Sequence, residues 1–185
     1  MPLPGRPLAR LVVLVLGVCV GATALGANAP TRAPHGMVVS QNAIASEIGV
    51  AVLREGGSAV DAAVATGFAL AVVHPTAGNI GGGGFLVHRP AAGEAVTYDF
   101  RERAPAAAHP EMWLDENGAY DRRKHHSSHV AVGVPGTVAG LHFAWRDAGR
   151  LEWKRLVAPA IALAREGFVV SDGPARSING TGMRR

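Results

Sequence analysis

Asp99, Arg101 and Glu102 stand together directly after an alternating apolar stretch, and they are the groups in this chain best suited to chemistry. A guanidinium is always charged and presents a planar fork of donors that matches the two oxygens of a carboxylate. At a strand end, Arg101 could anchor an anionic ligand or pair with Asp99 or Glu102. Glu102 could orient Arg101, approach a ligand's amine, or stand as a solvated charge. Asp99 reads as a partner for backbone or arginine rather than as a catalyst. Upstream, four consecutive glycines at 81–84 serve where the chain needs positive φ or where another group must come close. A phosphate-binding loop would need a strand before the glycines and a helix after them. Here the order is reversed, which points to close backbone packing. His125, His126 and His129 adjoin Arg122, Arg123 and Lys124. Three neighbouring cations repel a metal ion, so this segment reads as a solvated loop and no metal site is expected.

The elements that carry these groups centre on residues 75–105. Phe85, Leu86 and Val87 form a short buried strand. Residues 95–100 form a second, with Val96, Tyr98 and Phe100 alternating against Thr97 and Asp99. Pro90 and Gly93 mark the turn between them. Before this hairpin, residues 37–40 read as a first strand. Ile44, Ile48, Val52 and Leu53 recur at helical spacing in a helix that ends at Gly56 and Gly57. Ser58 and Asp61 have the capping-box spacing and open a second helix through Val60, Val64, Phe68 and Val72. That helix is apolar on all sides, hence buried, and too short to span a bilayer. Residues 106–128 are polar and irregular. Thr137 then caps a helix with Val138, Leu141 and Trp145 on one face, closed by Gly149. A last helix over 152–166 buries Leu156, Val157, Ala160, Ile161 and Ala164, is bent by Pro159, and stops at Gly167. Helices segregated from an antiparallel pair indicate an α+β layered arrangement.

Hydrophobic residues make up 48% of the 185, enough for one domain with a largely aliphatic core, since aromatic residues are only 5%. The formal charge of +4 vanishes when Arg6, Arg10, Arg184 and Arg185 are set aside. With no basic stripe carrying interleaved aromatics, no nucleic-acid partner is expected. Arg6 and Arg10 precede an apolar run at 11–20, and small residues follow, which is the pattern of a cleaved export signal. The organisation expected is therefore a signal peptide at 1–26, a leader at 27–36, a folded domain at 37–172 and a truncated tail at 173–185. Cys19 would leave with the signal, and membrane association is expected only if that segment is uncleaved. The protein would then be periplasmic or extracellular.

Several words in this order resemble the large-subunit region of the γ-glutamyltransferase (γ-glutamyltranspeptidase) family. They are Pro75, then Gly78, Asn79, Ile80 and the four glycines with Phe85, then Asp99, Phe100, Arg101 and Glu102 with Ala104 and Pro105. Ser128 with His129, Gly133, and the run from Pro135 to Gly140 complete the set. The resemblance covers about residues 36–172. It implies a partial N-terminal-nucleophile hydrolase fold, with two stacked sheets between helical layers, the αββα arrangement. It also implies that Arg101 anchors the α-carboxylate of a γ-glutamyl group, with Glu102 beside it, and that no cofactor is needed.

In that family a threonine heading the small subunit attacks the γ-carbonyl, and the acyl-enzyme passes to water or to an acceptor amine. No threonine here stands in the matching context, so no catalytic residue is assigned to this chain and the small subunit is the missing partner. The reading is an N-terminal fragment of an exported γ-glutamyltransferase or glutathione hydrolase, acting on γ-glutamyl compounds such as glutathione and inactive alone. The alternatives are a non-catalytic module that needs a separately encoded small subunit, and a fragment of a related cephalosporin or glutaryl acylase.

Overall fold

The computed structural model describes residues 30–180. The expected export segment with Cys19, and residues 181–185, lie outside the described residues. Residues 30–35 belong to a separate leading unit, and these six residues form neither helix nor strand. The unit that begins at Gly36 contains everything that follows, and among the described residues no helix is long and apolar enough to cross a membrane.

Helix α1 (Ala43–Arg54) starts at Asn42, whose side chain accepts the Ile44 N–H while its amide donates to the Val73 carbonyl. Residues 37–40, expected as a strand, are irregular. Ser40 turns back to donate its hydroxyl to the Asn42 carbonyl, and Val39 is 81% exposed, so among the described residues no partner strand is present to pair with them. At its other end, α1 closes with Gly56 at φ +89°, the Gly56 N–H on Leu53 and the Gly57 N–H on Val52. This is the paired-bond helix stop that a left-handed glycine permits.

Helix α2 (Ala59–Val73) begins with the expected capping box. The Ser58 hydroxyl accepts the Asp61 N–H at 3.1 Å and the Asp61 carboxylate accepts the Ser58 N–H at 2.7 Å. Val60, Val64, Ala65, Phe68, Ala69 and Val73 are buried on several sides of the helix, as its all-apolar sequence requires. Small residues let α1 come close: a Cβ on Gly49 would stand 2.4 Å from the Thr66 hydroxyl.

Strand β1 (Phe85–His88) pairs antiparallel with β2 (Val96–Asp99) in the register Phe85 with Asp99 and Leu86 with Tyr98. Gly93, at φ +100°, lies in the connecting turn. The strand expected to be buried is half open: Leu86 packs on the core, while Phe85 and Val87 are exposed. On β2, Tyr98 is buried. Beyond the hairpin, residues expected to be irregular form a 3₁₀ turn (Pro110–Trp113) and a short helix α3 (Arg122–Ser127). The Asp121 carboxylate makes α3 possible by accepting the Arg123 and Lys124 N–H groups.

Helix α4 (Thr137–Ala148) buries Thr137, Gly140, Leu141 and Ala144, which leaves Val138 outside where it was expected inside. Helix α5 (Trp153–Glu166) buries Leu156 and Ala160, carries Pro159 within its length, and ends at Gly167 with φ +81°. Ile161 and Ala164 are exposed instead, because the inward stripe runs through Leu163 to Phe168. Helix α6 (Asp172–Asn179) occupies residues that sequence patterning had left as a tail.

Asp61 joins these helices over a long distance in sequence. Its carboxylate is fully buried, and beyond the capping box it accepts the N–H of Arg150 at 2.9 Å and of Leu151 at 3.3 Å. The loop between α4 and α5 is thereby held against the start of α2. Ser58→Ala removes the cap alone and should cost about 1 kcal/mol. Asp61→Ala leaves the N–H groups of Ser58, Arg150 and Leu151 without their acceptor and should cost on the order of 3 kcal/mol. Urea midpoints at unchanged slope would measure both, and equal losses for the two variants would contradict the long-range role.

Candidate functional site

Arg101 emerges just beyond the end of β2, where the chain is held from both sides by glycine. A Cβ on Gly83 would lie 2.5 Å from the Phe100 carbonyl oxygen and 2.7 Å from the Glu102 nitrogen. On the opposite side, a Cβ on Gly136 would lie 2.0 Å from that same carbonyl oxygen. No side chain fits at either position. None of the four glycines at 81–84 adopts positive φ. Of their two possible uses, close approach is the one realised here.

The glycine loop is also tied to the start of α4. The Gly136 and Thr137 N–H groups donate to the Gly82 carbonyl at 2.8 and 3.0 Å, which satisfies donors that a helix start leaves free. Asn79 accepts both the Gly82 N–H at 2.9 Å and the Thr137 hydroxyl at 2.7 Å. Thr137, expected as the cap, is therefore the first helical residue and uses its hydroxyl elsewhere, while Gly136 takes the capping position. The ladder continues past the strands through Gly84 and Phe100, whose N–H and carbonyl groups exchange bonds at 3.1 and 3.4 Å. Arg103 then bridges to Val134.

On this support the Arg101 side chain projects outward, 69% exposed, with Nε donating to Glu102 Oε2 at 3.1 Å. Its backbone N–H donates to the Asp99 carboxylate at 3.0 Å, so Asp99 fixes the turn rather than the guanidinium. The Glu102 carboxyl lies below its ordinary value. Its own backbone N–H is the largest cause, and Arg101 and the Gly83 N–H lower it further against opposing desolvation. With Glu102 on Nε, the terminal guanidinium nitrogens remain available for a second carboxylate. Arg101 borders a cleft of about 550 Å³ between β2 and α4, with Thr97, Phe143, Val134 and Ala139 in its walls. Glu102 borders a second hollow of about 430 Å³, lined by Arg103, Met112, Trp113 and Val130.

Sequence patterning places Tyr98 in the second strand but misses its pairing with Asp147. The Tyr98 hydroxyl donates to Asp147 Oδ2, and its ring meets Phe143 edge-on at 5.9 Å. Phe143 and Asp147 are one helical turn apart on α4, and that spacing was the available signal. The bond to Asp147 and burial push the Tyr98 phenol up to about 12.

The histidine segment is helical rather than a loop, while Arg122, Arg123, Lys124, His126 and His129 are exposed as expected. The His125 ring stacks near Trp113 at 4.6 Å and His126 at 4.5 Å, with Nδ1 at 2.6 Å from the Tyr120 hydroxyl. His129 starts a separate 3₁₀ turn (His129–Ala131). Among the described residues no group of three potential ligands could hold a metal ion.

The family model described as Gamma-glutamyltranspeptidase matches residues 45–184. The Glutathione hydrolase proenzyme of Escherichia coli (strain K12) is 52% identical over 146 residues, which is 79% of this chain and 25% of that protein. The solved Helicobacter pylori gamma-glutamyltranspeptidase superposes with a TM-score of 0.77 at 47% identity, covering 82% of this chain and 43% of that one. That of Pseudomonas nitroreducens, solved in complex with L-DON, gives 0.74 at 41% identity over 80% of this chain and 44% of that one. The α+β fold is thus part of the N-terminal-nucleophile hydrolase architecture of those enzymes. The chain spans about a quarter of the length of the curated relatives it matches.

A folded-state phenol ionising above its unfolded value stabilises below pH 10, and that contribution fades as pH rises through about 12. Ultraviolet titration should show a phenolate phase near 12 that disappears in Tyr98→Phe. A phase near 10 in the parent, absent from the variant, would contradict the Asp147 bond.

Proposed function

Because the chain belongs to the gamma-glutamyltranspeptidase family, we propose that it supplies the carboxylate grip of an enzyme that transfers or hydrolyses γ-glutamyl groups, glutathione among its substrates. The observation that carries this reading is the outward guanidinium of Arg101, tied at Nε by Glu102 and bordering the cleft between β2 and α4. In this reading the terminal nitrogens of Arg101 take the two oxygens of the substrate's α-carboxylate. The resulting bidentate pair fixes one end of the glutamyl chain so that its γ-carbonyl is presented to a nucleophile. Glu102 keeps the guanidinium turned toward the cleft and stays ionised below the usual carboxylate range.

The nucleophile comes from outside these residues. Thr66 and Thr137 are buried, and the Thr137 hydroxyl is committed to Asn79. Thr97 lies in β2. A threonine at the head of a small subunit would attack the γ-carbonyl through its hydroxyl, whose proton passes by way of the threonine's own amine to the departing amine as the γ-amide bond breaks, and the acyl ester would then pass to water or an acceptor amine. What supports such a partner is the open apolar face of the hairpin, where Phe85 is 61% and Val87 68% exposed. The basic and apolar segment at residues 1–26 supports export to the periplasm or beyond.

Two outcomes test this reading. The 185-residue chain alone should release no product from a γ-glutamyl anilide, and measurable turnover would overturn the assignment of the nucleophile to a partner. In a full-length enzyme carrying residues 36–180 of this chain, Arg101→Lys should raise KM for the anilide on the order of tenfold, with a smaller change in kcat. An unchanged KM would remove Arg101 from the site.

A further inference from the structure

Beyond the backbone clamp, the ring of Phe100 enters a slot with no side chains on two of its walls. A Cβ on Gly140 would fall 2.1 Å from Phe100 Cγ and 2.2 Å from its Cβ, well inside any contact that atoms tolerate. A Cβ on Gly84 would come within 3.1 Å of the far edge of the same ring. Gly140 is buried on α4, one turn beyond Gly136, so the two present a groove along one helix face. Phe100 packs its half-buried ring against the core at that groove. Its carbonyl is already pinned between Gly83 and Gly136, and the next residue is Arg101.

We propose that Phe100 and Gly140 are positioning residues for Arg101: the ring, seated in the glycine slot of α4, sets where the guanidinium stands relative to the cleft. The physical argument is one of room. A methyl group on Gly140 cannot coexist with the ring where it is, and α4 cannot yield because its start is bonded to Gly82 and its far end to Tyr98. The ring must therefore lift. Lifting it pulls the Phe100 carbonyl out of the gap between Gly83 and Gly136, and Arg101 moves with it. Gly140 lines the same cleft as Arg101, so the readout that isolates its effect through Phe100 is the Arg101 signal in the absence of substrate.

The inference rests on Arg101 as the anchor, and its first readout is therefore free of substrate. In the ¹⁵N-labelled full chain, the Arg101 Nε–H bonded to Glu102 should resonate apart from free arginines, identified by its loss in Glu102→Gln. Gly140→Ala should move it to the free position while the Trp145 indole N–H, bonded to the Leu151 carbonyl at 2.7 Å, stays in place as a folding control. Adding Phe100→Leu to Gly140→Ala should bring it back toward the parent position. An Arg101 signal untouched by Gly140→Ala overturns the proposal, as does a shift that Phe100→Leu does not relieve. If Gly140→Ala also loses the Trp145 signal, Phe100→Leu alone decides: a displaced Arg101 signal supports the slot, and an unchanged one overturns it. In the full-length enzyme, Gly140→Ala should raise KM for the γ-glutamyl anilide about tenfold with little change in kcat, since small misplacements are costly at a preorganised site. If Arg101→Lys leaves KM unchanged while the resonance still responds to Gly140→Ala, the anchor reading fails and the slot stands.

Discussion

The Phe100 carbonyl occupies a gap that exists only because Gly83 and Gly136 lack side chains, and most of the molecule's functional geometry depends on that gap. Gly83 belongs to the loop leading into β1, Phe100 to the end of β2, and Gly136 to the start of α4. Three separate parts of the chain meet within van der Waals distance of one oxygen. The contact is steric, so it specifies position sharply: a single methyl group at either glycine would exceed the available space. The hydrogen bonds from Gly136 and Thr137 to Gly82, and from Gly82 and Thr137 to Asn79, then hold the closed gap in place.

The helices answer a different requirement. Helix α2 is apolar around much of its circumference and can pack in many rotations, since burial is not directional. Asp61 removes that freedom. A buried carboxylate needs acceptor bonds satisfied in fixed directions, and here the donors come from Ser58 next door and from Arg150 and Leu151 in the α4–α5 loop. Gly149 fits beneath it, since a Cβ there would stand 2.9 Å from Asp61 Oδ1. The register of α2 against α4 and α5 is thus set by one polar side chain inside an otherwise aliphatic core. Position along α4 is in turn what brings Gly136 to Phe100.

Much of this was legible in the chain before any coordinates. The stop of α1 at Gly56 and Gly57, the capping box that opens α2, the hairpin and its turn, and the helix stops at Gly149 and Gly167 all follow from local chemistry, and each is legible in a few adjacent residues. What escaped was set at longer range. Residues 37–40 have strand composition, but a strand needs a neighbour and none stands beside them among the described residues. Val138 is as apolar as Leu141, yet the inward face of α4 is chosen by where Gly140 must admit Phe100. Asp61 announced a cap and gave no sign of its donors ninety residues away. Tyr98 and Asp147 pair across 49 residues. The short helix α3 was within reach, since Asp121 before a polar run is a helix-start signal. The basic composition of that run concealed it.

Exposure itself suits Arg101 to the role proposed for it. An ion pair in water is worth about 0–1 kcal/mol, whereas breaking a buried pair costs on the order of 3–5 kcal/mol. Arg101 and Glu102 are 69% and 37% exposed, so their bond is of the first kind. It turns the guanidinium without neutralising it strongly, and a ligand carboxylate arriving at the other nitrogens does not have to displace a tightly held partner. Precision then cannot come from the ion pair, which is too weak to hold a long side chain to a fraction of an ångström. It has to come from the backbone beneath, where steric exclusion around Phe100 limits what Arg101 can do before any ligand is present. A strong anchor on a loose chain would bind carboxylates in many poses. A weakly paired anchor on a clamped chain binds them in few, and the role proposed for Arg101, holding one end of a ligand while its other end reacts, requires the second arrangement.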